Sequence, residues 1–192
     1  MKNHSVQKGE FQYLKQVKRR KWLLMIVLLA AALTVFIAGY YISGQDKANI
    51  WTIFAVLMML PAAKQIVSVI VTFPYHSPEK AEYDRLKQTA GDSCTVLSDM
   101  LISSREKMMY MDFMVLGGKE IVCYTDNKKN QEKDIFNYLV TCMKERRLNY
   151  RVKVMTDFDK FLSYVKGIDT EDRNEPGEEK EALDFIESLI YR

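Results

Sequence analysis

Histidine and cysteine are scarce in this chain of 192 residues, and their scarcity argues against several classes of catalytic site. The two histidines are His4, in a basic leading segment, and His76, after a long apolar run, so a histidine triad or a histidine-rich metal site is hard to build. The three cysteines, Cys94, Cys123 and Cys142, are too widely spaced for a CxxC metal pattern and are interpreted as core thiols. We therefore expect no metal site and no cofactor.

Charged side chains are absent from Trp22 to Ile42, a run of 21 residues. At a rise of about 1.5 Å per residue, a helix of that length crosses a hydrocarbon core of roughly 30 Å. A second apolar run follows over residues 50–73, so the sequence predicts a transmembrane hairpin over 22–73 with spans 22–42 and 50–73. A cleaved signal peptide is the competing interpretation, but its apolar core is only about 7–15 residues long, and a clean small-residue cleavage site is lacking.

The residues before the first apolar run, 1–21, form a basic juxtamembrane segment with seven lysines and arginines and one acid. Basic residues next to spans stay on the cytosolic side, so we expect a multi-pass plasma-membrane protein with both termini in the cytosol. Basic side chains also favour contact with an anionic inner leaflet. Nucleic acid ranks lowest as a partner because the cluster adjoins a span. The expected lipid-contacting residues are Lys15, Lys18, Arg19, Arg20 and Lys21.

Two residues interrupt the second apolar run, Pro61 and Lys64. Proline removes a backbone donor and kinks a helix, and a lysine inside a membrane is a candidate functional group. Lys64 is near enough to the cytosolic end of the span for its side chain to reach the headgroups, which is favoured over a transport role. Assembly of the spans with a membrane-protein partner or with a second copy stays open.

Residues 77–167 are predicted to form a cytosolic α+β domain. Ser77, Pro78 and Glu79 combine a cap, a proline and an acid in the pattern that begins a helix. Three runs of strand-forming residues follow, separated by short turns, and a strictly alternating run comes later. The predicted order is α-β-β-β-α-β-α with a mixed four-stranded sheet, over segments 79–90, 94–103, 108–116, 120–125, 130–147, 150–155 and 158–166.

Residues 168–192 are predicted to be an acidic linker followed by an amphipathic helix. The linker is rich in Asp and Glu and contains Pro176 and Gly177. Apolar residues then recur at helical spacing between Ala182 and Ile190, so the helix needs a surface to cover. That surface belongs to this domain, to another copy or to a partner.

The element order and the stretch from Ser98 to Thr125 resemble the PD-(D/E)xK nuclease superfamily and its NERD domains. In such folds an aspartate on the second strand and an acid-x-lysine on the third hold Mg²⁺ and position the attacking water. Asp112 stands at the aspartate's position, whereas residues 121–125 of the third strand offer neither acid nor lysine. The resemblance implies catalytic candidates Asp112, Glu120 and Asp126.

The layout also resembles small two-span membrane proteins of Gram-positive bacteria, which implies a location without an activity. The favoured function is a membrane-anchored cytosolic interaction or regulatory module without enzymatic activity. The alternatives are a membrane-tethered, metal-dependent nuclease-like enzyme and an accessory subunit of a membrane complex.

Overall fold

The computed structural model describes residues 8–42, 50–104, 107–126, 131–168 and 176–190. Its chain divides into two compact units, one formed by residues 15–76 and the other by the residues before and after them. The hairpin loop predicted over 43–49 and residues 169–175 of the predicted acidic linker lie outside the described residues. Pro176 and Gly177, predicted to be in the linker, instead begin the last helix.

The unit over residues 15–76 contains two long apolar helices, α1 (Tyr13–Ile42) and α2 (Ile50–Thr72). Both are long and apolar enough to cross a membrane, with mean hydropathies of 2.6 and 2.0. Small side chains are buried in this unit, including Ala32, Ala55 and Ala62. At Gly39 a Cβ atom would collide with the Trp51 side chain, so this glycine lets the two backbones approach closely.

The second unit is built on a mixed four-stranded sheet in the order β1-β2-β3-β4. The strands are β1 (Thr95–Ser103), β2 (Met108–Gly117), β3 (Glu120–Tyr124) and β4 (Arg151–Met155). The first three form an antiparallel meander, and β4 runs parallel to β3. Gly118 has a φ of 56°, as the tight turn between β2 and β3 requires. The sheet confirms the predicted strand order and mixed pairing.

Helices cover both faces of the sheet. They are α3 (Lys80–Ala90), α4 (Gln131–Glu145), α5 (Phe158–Lys166) and α6 (Pro176–Leu189). One face packs against α4 and α6 through a methionine-rich core that includes Met100, Met111 and Met114. The other face packs against α3 and α5 through an aromatic core around Phe113 and Phe161. Because both faces are covered, β2 is buried along nearly its whole length and, apart from Asp112, lacks the polar residues that alternate along a half-exposed strand.

The helix α6 packs on its own domain. Ala182, Ile186 and Ile190 are buried in the methionine-rich core, and Ile190 forms an antiparallel bridge with Ile102 of β1. Of the three surfaces considered for this helix, it therefore covers the one on its own domain.

Residues 8–14 also belong to the domain. The backbone N–H of Ser98 donates to the carbonyl oxygen of Gly9 at 2.7 Å, and the ring of Phe11 stacks on Tyr83 at 4.7 Å between centroids. The Lys8 ammonium donates to the Glu187 carbonyl oxygen at 2.8 Å, near the end of α6. Gly9 and Ile190 therefore cover the outer edge of β1 at two points, Ser98 and Ile102, which blocks pairing with another strand there.

Candidate functional site

The pairing of β1 with β2 contains a break at Asp99 and Asp112. Met111 and Met114, three residues apart, lie in the same core, although an unbroken strand would place them on opposite faces. Leu97 and Met100 of β1 are likewise three residues apart and lie in the same core. Asp99, between them, has a φ of 56°. Ser98 is opposite Phe113, and Met100 is opposite Met111. Asp99 and Asp112, which lie between these pairs, therefore occupy opposite positions on the two strands.

Asp99 is fully buried between the sheet and the leading segment of the chain. The Tyr110 hydroxyl donates to its Oδ1 atom at 3.1 Å. Burial raises the pKa of Asp99, and hydrogen bonding to Ser77, to Tyr110 and to the backbone of Gln12 and Leu14 works in the opposite direction. Burial also raises the pKa of Tyr110, so this phenol stays a hydrogen-bond donor.

Asp112 is 7% exposed and accepts a hydrogen bond of 2.8 Å at Oδ2 from the backbone N–H of Asp126, just after β3. The pKa of Asp112 is raised to about 6, chiefly by burial and also by the charges of Asp126, Glu82 and Asp99, while the hydrogen bond from the Asp126 N–H acts to lower it. Burial and the charges of Glu79 and Asp126 likewise raise the pKa of Glu82 on α3. Glu82, Asp112 and Asp126 thus form one acidic cluster, which can take up a proton near neutral pH.

Metal coordination is the other chemistry that carboxylates at one strand end can perform. Within the described parts of the chain, no group of three or more His, Cys, Asp and Glu side chains is arranged to hold a metal ion. Thr125, at the position that the nuclease pattern gives to an acid, is buried and donates to the carbonyl oxygen of Tyr110 at 3.1 Å.

Glu120 lies apart from this cluster, at the opposite end of β3. The four-residue step from Glu120 to Tyr124 spans roughly 13 Å. The Glu120 carboxylate pairs with the Arg151 guanidinium at 3.0 Å and accepts from the Tyr164 hydroxyl at 2.8 Å. The structure thus brings Asp112 and Asp126 together and places Glu120 in a separate polar network.

Sequence reasoning missed two features of this end of the sheet. Glu82 was not singled out from the sequence, although its charge raises the pKa of Asp112 and the charge of Asp126 raises its own pKa. The triplet Asp126, Asn127 and Lys128 has acid-x-lysine spacing, one residue beyond the position that the nuclease pattern requires. A one-residue shift along a strand turns a side chain to the other face, and Asn127 and Lys128 lie outside the described residues.

The predicted lipid-contacting bases fall into two groups. The Lys18 ammonium donates to the carbonyl oxygens of Tyr75 and of Phe73, and the Lys21 ammonium donates to the Ser68 hydroxyl at 2.8 Å. These two lysines thus join the first turns of α1 to the end of α2 and the residues that follow it. The other three bases are exposed on α1, namely Lys15, Arg19 and Arg20.

The two interrupting residues of the second span both lie within α2. The helix continues through Pro61, and Lys64 is exposed one turn later.

The edge of β4 carries a cleft that the sequence did not indicate. β4 pairs with β3 on one side and is the last strand of the sheet. A cavity of about 250 Å³ lies beside it, lined by Val154 of the strand and, from α4, by Glu132, Lys133, Phe136 and Asn137. Phe136 is 42% exposed and is the one large apolar side chain outside residues 22–73 that is exposed in the described part of the chain. We call this feature the β4 cleft.

Comparison of the chain with protein-family models, with curated proteins and with solved structures finds no match. The resemblance to nuclease-like domains accordingly remains a prediction from element order and residues.

Proposed function

We propose that this protein is a membrane-anchored interaction or regulatory module without enzymatic activity. The observation that carries the proposal is the distribution of exposed apolar surface. Among the described residues, every exposed large apolar side chain except Phe136 lies within residues 22–73. An apolar surface concentrated in this way suits contact with lipid. In water, the same surface would favour association of the protein with other molecules.

The proposed orientation places the α+β domain in the cytosol of a cell whose plasma membrane holds both helices. The net positive charge of residues 1–21 favours this orientation, and two spans return the chain to the same side. The 30 residues of α1 extend about 45 Å, which is longer than a hydrocarbon core of about 30 Å. The first turns of α1 would then lie at the inner leaflet, with Lys15, Arg19 and Arg20 available to anionic headgroups.

The regulatory part of the proposal comes from the acidic cluster. A carboxyl with a pKa near 6 changes its charge close to physiological pH, and the cluster adjoins Asp99, which contacts the start of α1. The same acids support one alternative, a nuclease-like metal enzyme, because the Asp112 carboxylate accepts from the backbone N–H of Asp126 and the two acids are therefore close together. Glu120 does not serve that alternative, since it is paired with Arg151.

Calorimetric titration of the full-length chain in detergent micelles with Mn²⁺ or Mg²⁺ separates these functions. The module predicts no binding at millimolar metal. Binding that Asp112→Ala abolishes, while the exposed control Asp84→Ala retains it, would support the enzyme and contradict the module.

Thiol labelling in intact cells tests the proposed orientation. In a chain with Cys94, Cys123 and Cys142 replaced by alanine, a membrane-impermeant maleimide should label Ala48→Cys from outside. The same reagent should label Lys144→Cys only after the cells are opened. Labelling of Lys144→Cys in intact cells would overturn the proposal.

A third function, a subunit assembled through the spans, rests on Pro61 and Lys64 within α2. Blue-native electrophoresis of Pro61→Ala and Lys64→Leu tests it. Loss of a larger complex, with the domain still folded, would support this function, and an unchanged pattern would favour the module.

A further inference from the structure

We propose that the β4 cleft binds an extended peptide segment of a partner, in which acidic residues alternate with apolar ones. The inference rests on the proposed interaction function and names the surface and the class of partner. The segment would add to the edge of β4 as a fifth strand, in the manner by which peptides join exposed sheet edges elsewhere.

The first argument is the contrast between the two edges of the sheet. The β1 edge is occupied by the carbonyl of Gly9 and by Ile190. On β4, Arg151 donates to the Lys119 carbonyl and Met155 accepts from the Thr125 N–H, so both direct their backbone groups towards β3. Successive residues of a strand direct their backbone groups to opposite sides, so Val152 and Val154 direct theirs away from β3, to an edge where the described residues place no further strand.

The second argument is the apolar part of the cleft. Val152 and Val154 pack with the methionine-rich core, on the face of the sheet that α4 covers. The exposed ring of Phe136 lies across the cavity from Val154. A strand added to β4 would place every second side chain on this face, where the cavity of about 250 Å³ has room for an aliphatic group.

The third argument is charge. Arg151 and Lys153 occupy alternate positions on β4, on the face opposite Val152 and Val154. The Arg151 side chain is 77% exposed, and the Lys153 ammonium lies 3.9 Å from the centre of the Tyr164 ring. Among the described residues, Glu120 pairs with Arg151, and Glu132 and Lys133 both line the cavity. Lys153 therefore leaves this edge with a net positive charge that complements carboxylates of an added strand.

The same charges argue against a second copy of this chain as the occupant. Antiparallel pairing of β4 with the β4 of another copy, centred on Lys153, would set two lysines opposite each other. Like charges in directly opposed positions destabilise a strand pair. An acid-apolar-acid segment places opposite charges there instead and satisfies the open backbone groups of Val152 and Val154.

The test is fluorescence anisotropy with the full-length chain in detergent micelles and a short labelled peptide in which glutamate alternates with valine. The proposal expects saturable binding of this peptide and none of a matched peptide in which lysine replaces glutamate. Phe136→Ala and Val152→Pro should each weaken binding by at least about tenfold. Val152→Pro removes an outward-facing N–H and leaves the bonds to β3 in place.

Charge reversal gives the sharpest control. Lys153→Glu should lower the affinity for the glutamate peptide and raise it for the lysine peptide, whereas Lys87→Glu, an exposed position on α3, should change neither. Equal binding by Lys153→Glu and the parent chain would overturn the proposal, as would no binding of the glutamate peptide at millimolar concentration. Concentration-dependent dimers that Val152→Pro abolishes would also overturn it, in favour of pairing between copies. Failure of the peptide test leaves the maleimide result unaffected, so the two proposals fail separately.

Discussion

The carboxylate of Asp112 accepts a hydrogen bond of 2.8 Å from the backbone N–H of Asp126, which closes the end of β3 onto β2. The bond forms between a buried acceptor and a donor whose own side chain is also acidic. Burial is the largest cause of the raised pKa of Asp112, the nearby acidic charges add to it, and the hydrogen bond opposes it, so the acid stays protonated up to a pH of about 6.

Asp112→Asn should stabilise the domain at pH 7. The pKa of Asp112 is raised from 3.8 to about 6, so the folded state binds more protons than the unfolded state between these values. The resulting destabilisation is fully present above pH 6 and disappears as the pH falls towards 4. Asparagine keeps an acceptor for the Asp126 N–H, and the expected gain at pH 7 is up to about 3 kcal/mol.

Hydrogen exchange of β2 amides measures this gain in the intact chain. Intrinsic fluorescence is unsuitable, because both tryptophans, Trp22 and Trp51, lie in the hairpin unit. The difference between Asp112→Asn and the parent should vanish near pH 4, whereas exposed Asp84→Asn should show no such trend. A variant that is less stable than the parent at pH 7 would contradict the assigned cause.

Gly9→Ala should loosen the cover of the β1 edge. Gly9 has a φ of 78°, and an added Cβ would lie 2.6 Å from Cδ2 of Leu97. Both strain and collision oppose the substitution, with an expected cost of about 1–3 kcal/mol. Exchange of the Ser98 amide, which donates to Gly9, should accelerate first. Gly177→Ala meets nothing within 4 Å and serves as the matched control, for which we expect no loss.

Gly39→Val should disturb the packing of α1 on α2. A side chain at this position has no room beside Trp51, so the helices must separate or shift. The expected cost is about 1–3 kcal/mol, as for other overpacked sites. Thermal unfolding in micelles, followed by circular dichroism, measures the change. Exposed Ala38→Val adds the same type of side chain one position earlier, and an equal effect of the two variants would contradict this account.

The exposed bases of α1 should control the orientation of the hairpin. Replacing Lys15, Arg19 and Arg20 by glutamine while introducing lysine at Asp46 and Ala48 moves the positive charge from one side of the spans to the other. A substantial inverted fraction should then appear, measured by maleimide labelling of Lys144→Cys in intact cells. Glutamine at Lys18 and Lys21 instead should weaken the hairpin, since these side chains bond to Tyr75 and Ser68. Equal outcomes for the two sets would contradict this division.

Local patterns predicted most of the domain fold. The glycine turn before Glu120 and the alternation from Arg151 to Met155 each depend on neighbouring residues, and each agrees with the structure. The predicted helix start lies two residues early, because the pattern places the cap at Ser77 and the first helical residue at Pro78, whereas α3 begins at Lys80 with Glu79 as its N-cap. The burial of Asp99 and Asp112 was not predictable in this way. It depends on a left-handed residue within β1 and on the cover provided by residues 8–14, which approach β1 from more than 80 positions away.

Local sequence patterns did not predict the β4 cleft either, because it also depends on contacts between distant parts of the chain. Phe136 follows Ile135 in a helix of mixed apolar and charged residues, and only the structure shows that Ile135 is buried while Phe136 is exposed beside Val154. In contrast, the helices of the hairpin follow from composition alone, because their length and apolar character need no tertiary contact to be recognised.

The contacts of Gly9 and Ile190 with the same edge of β1 impose an order on biosynthesis. The segment around Gly9 is synthesised early. It stays without its partner strand until both apolar helices and the meander have emerged from the ribosome. The edge can close from both directions only once residue 190 has left the exit tunnel. Until then β1 is unprotected, so a nascent chain stalled before α6 should be a preferred client of chaperones that recognise open strands.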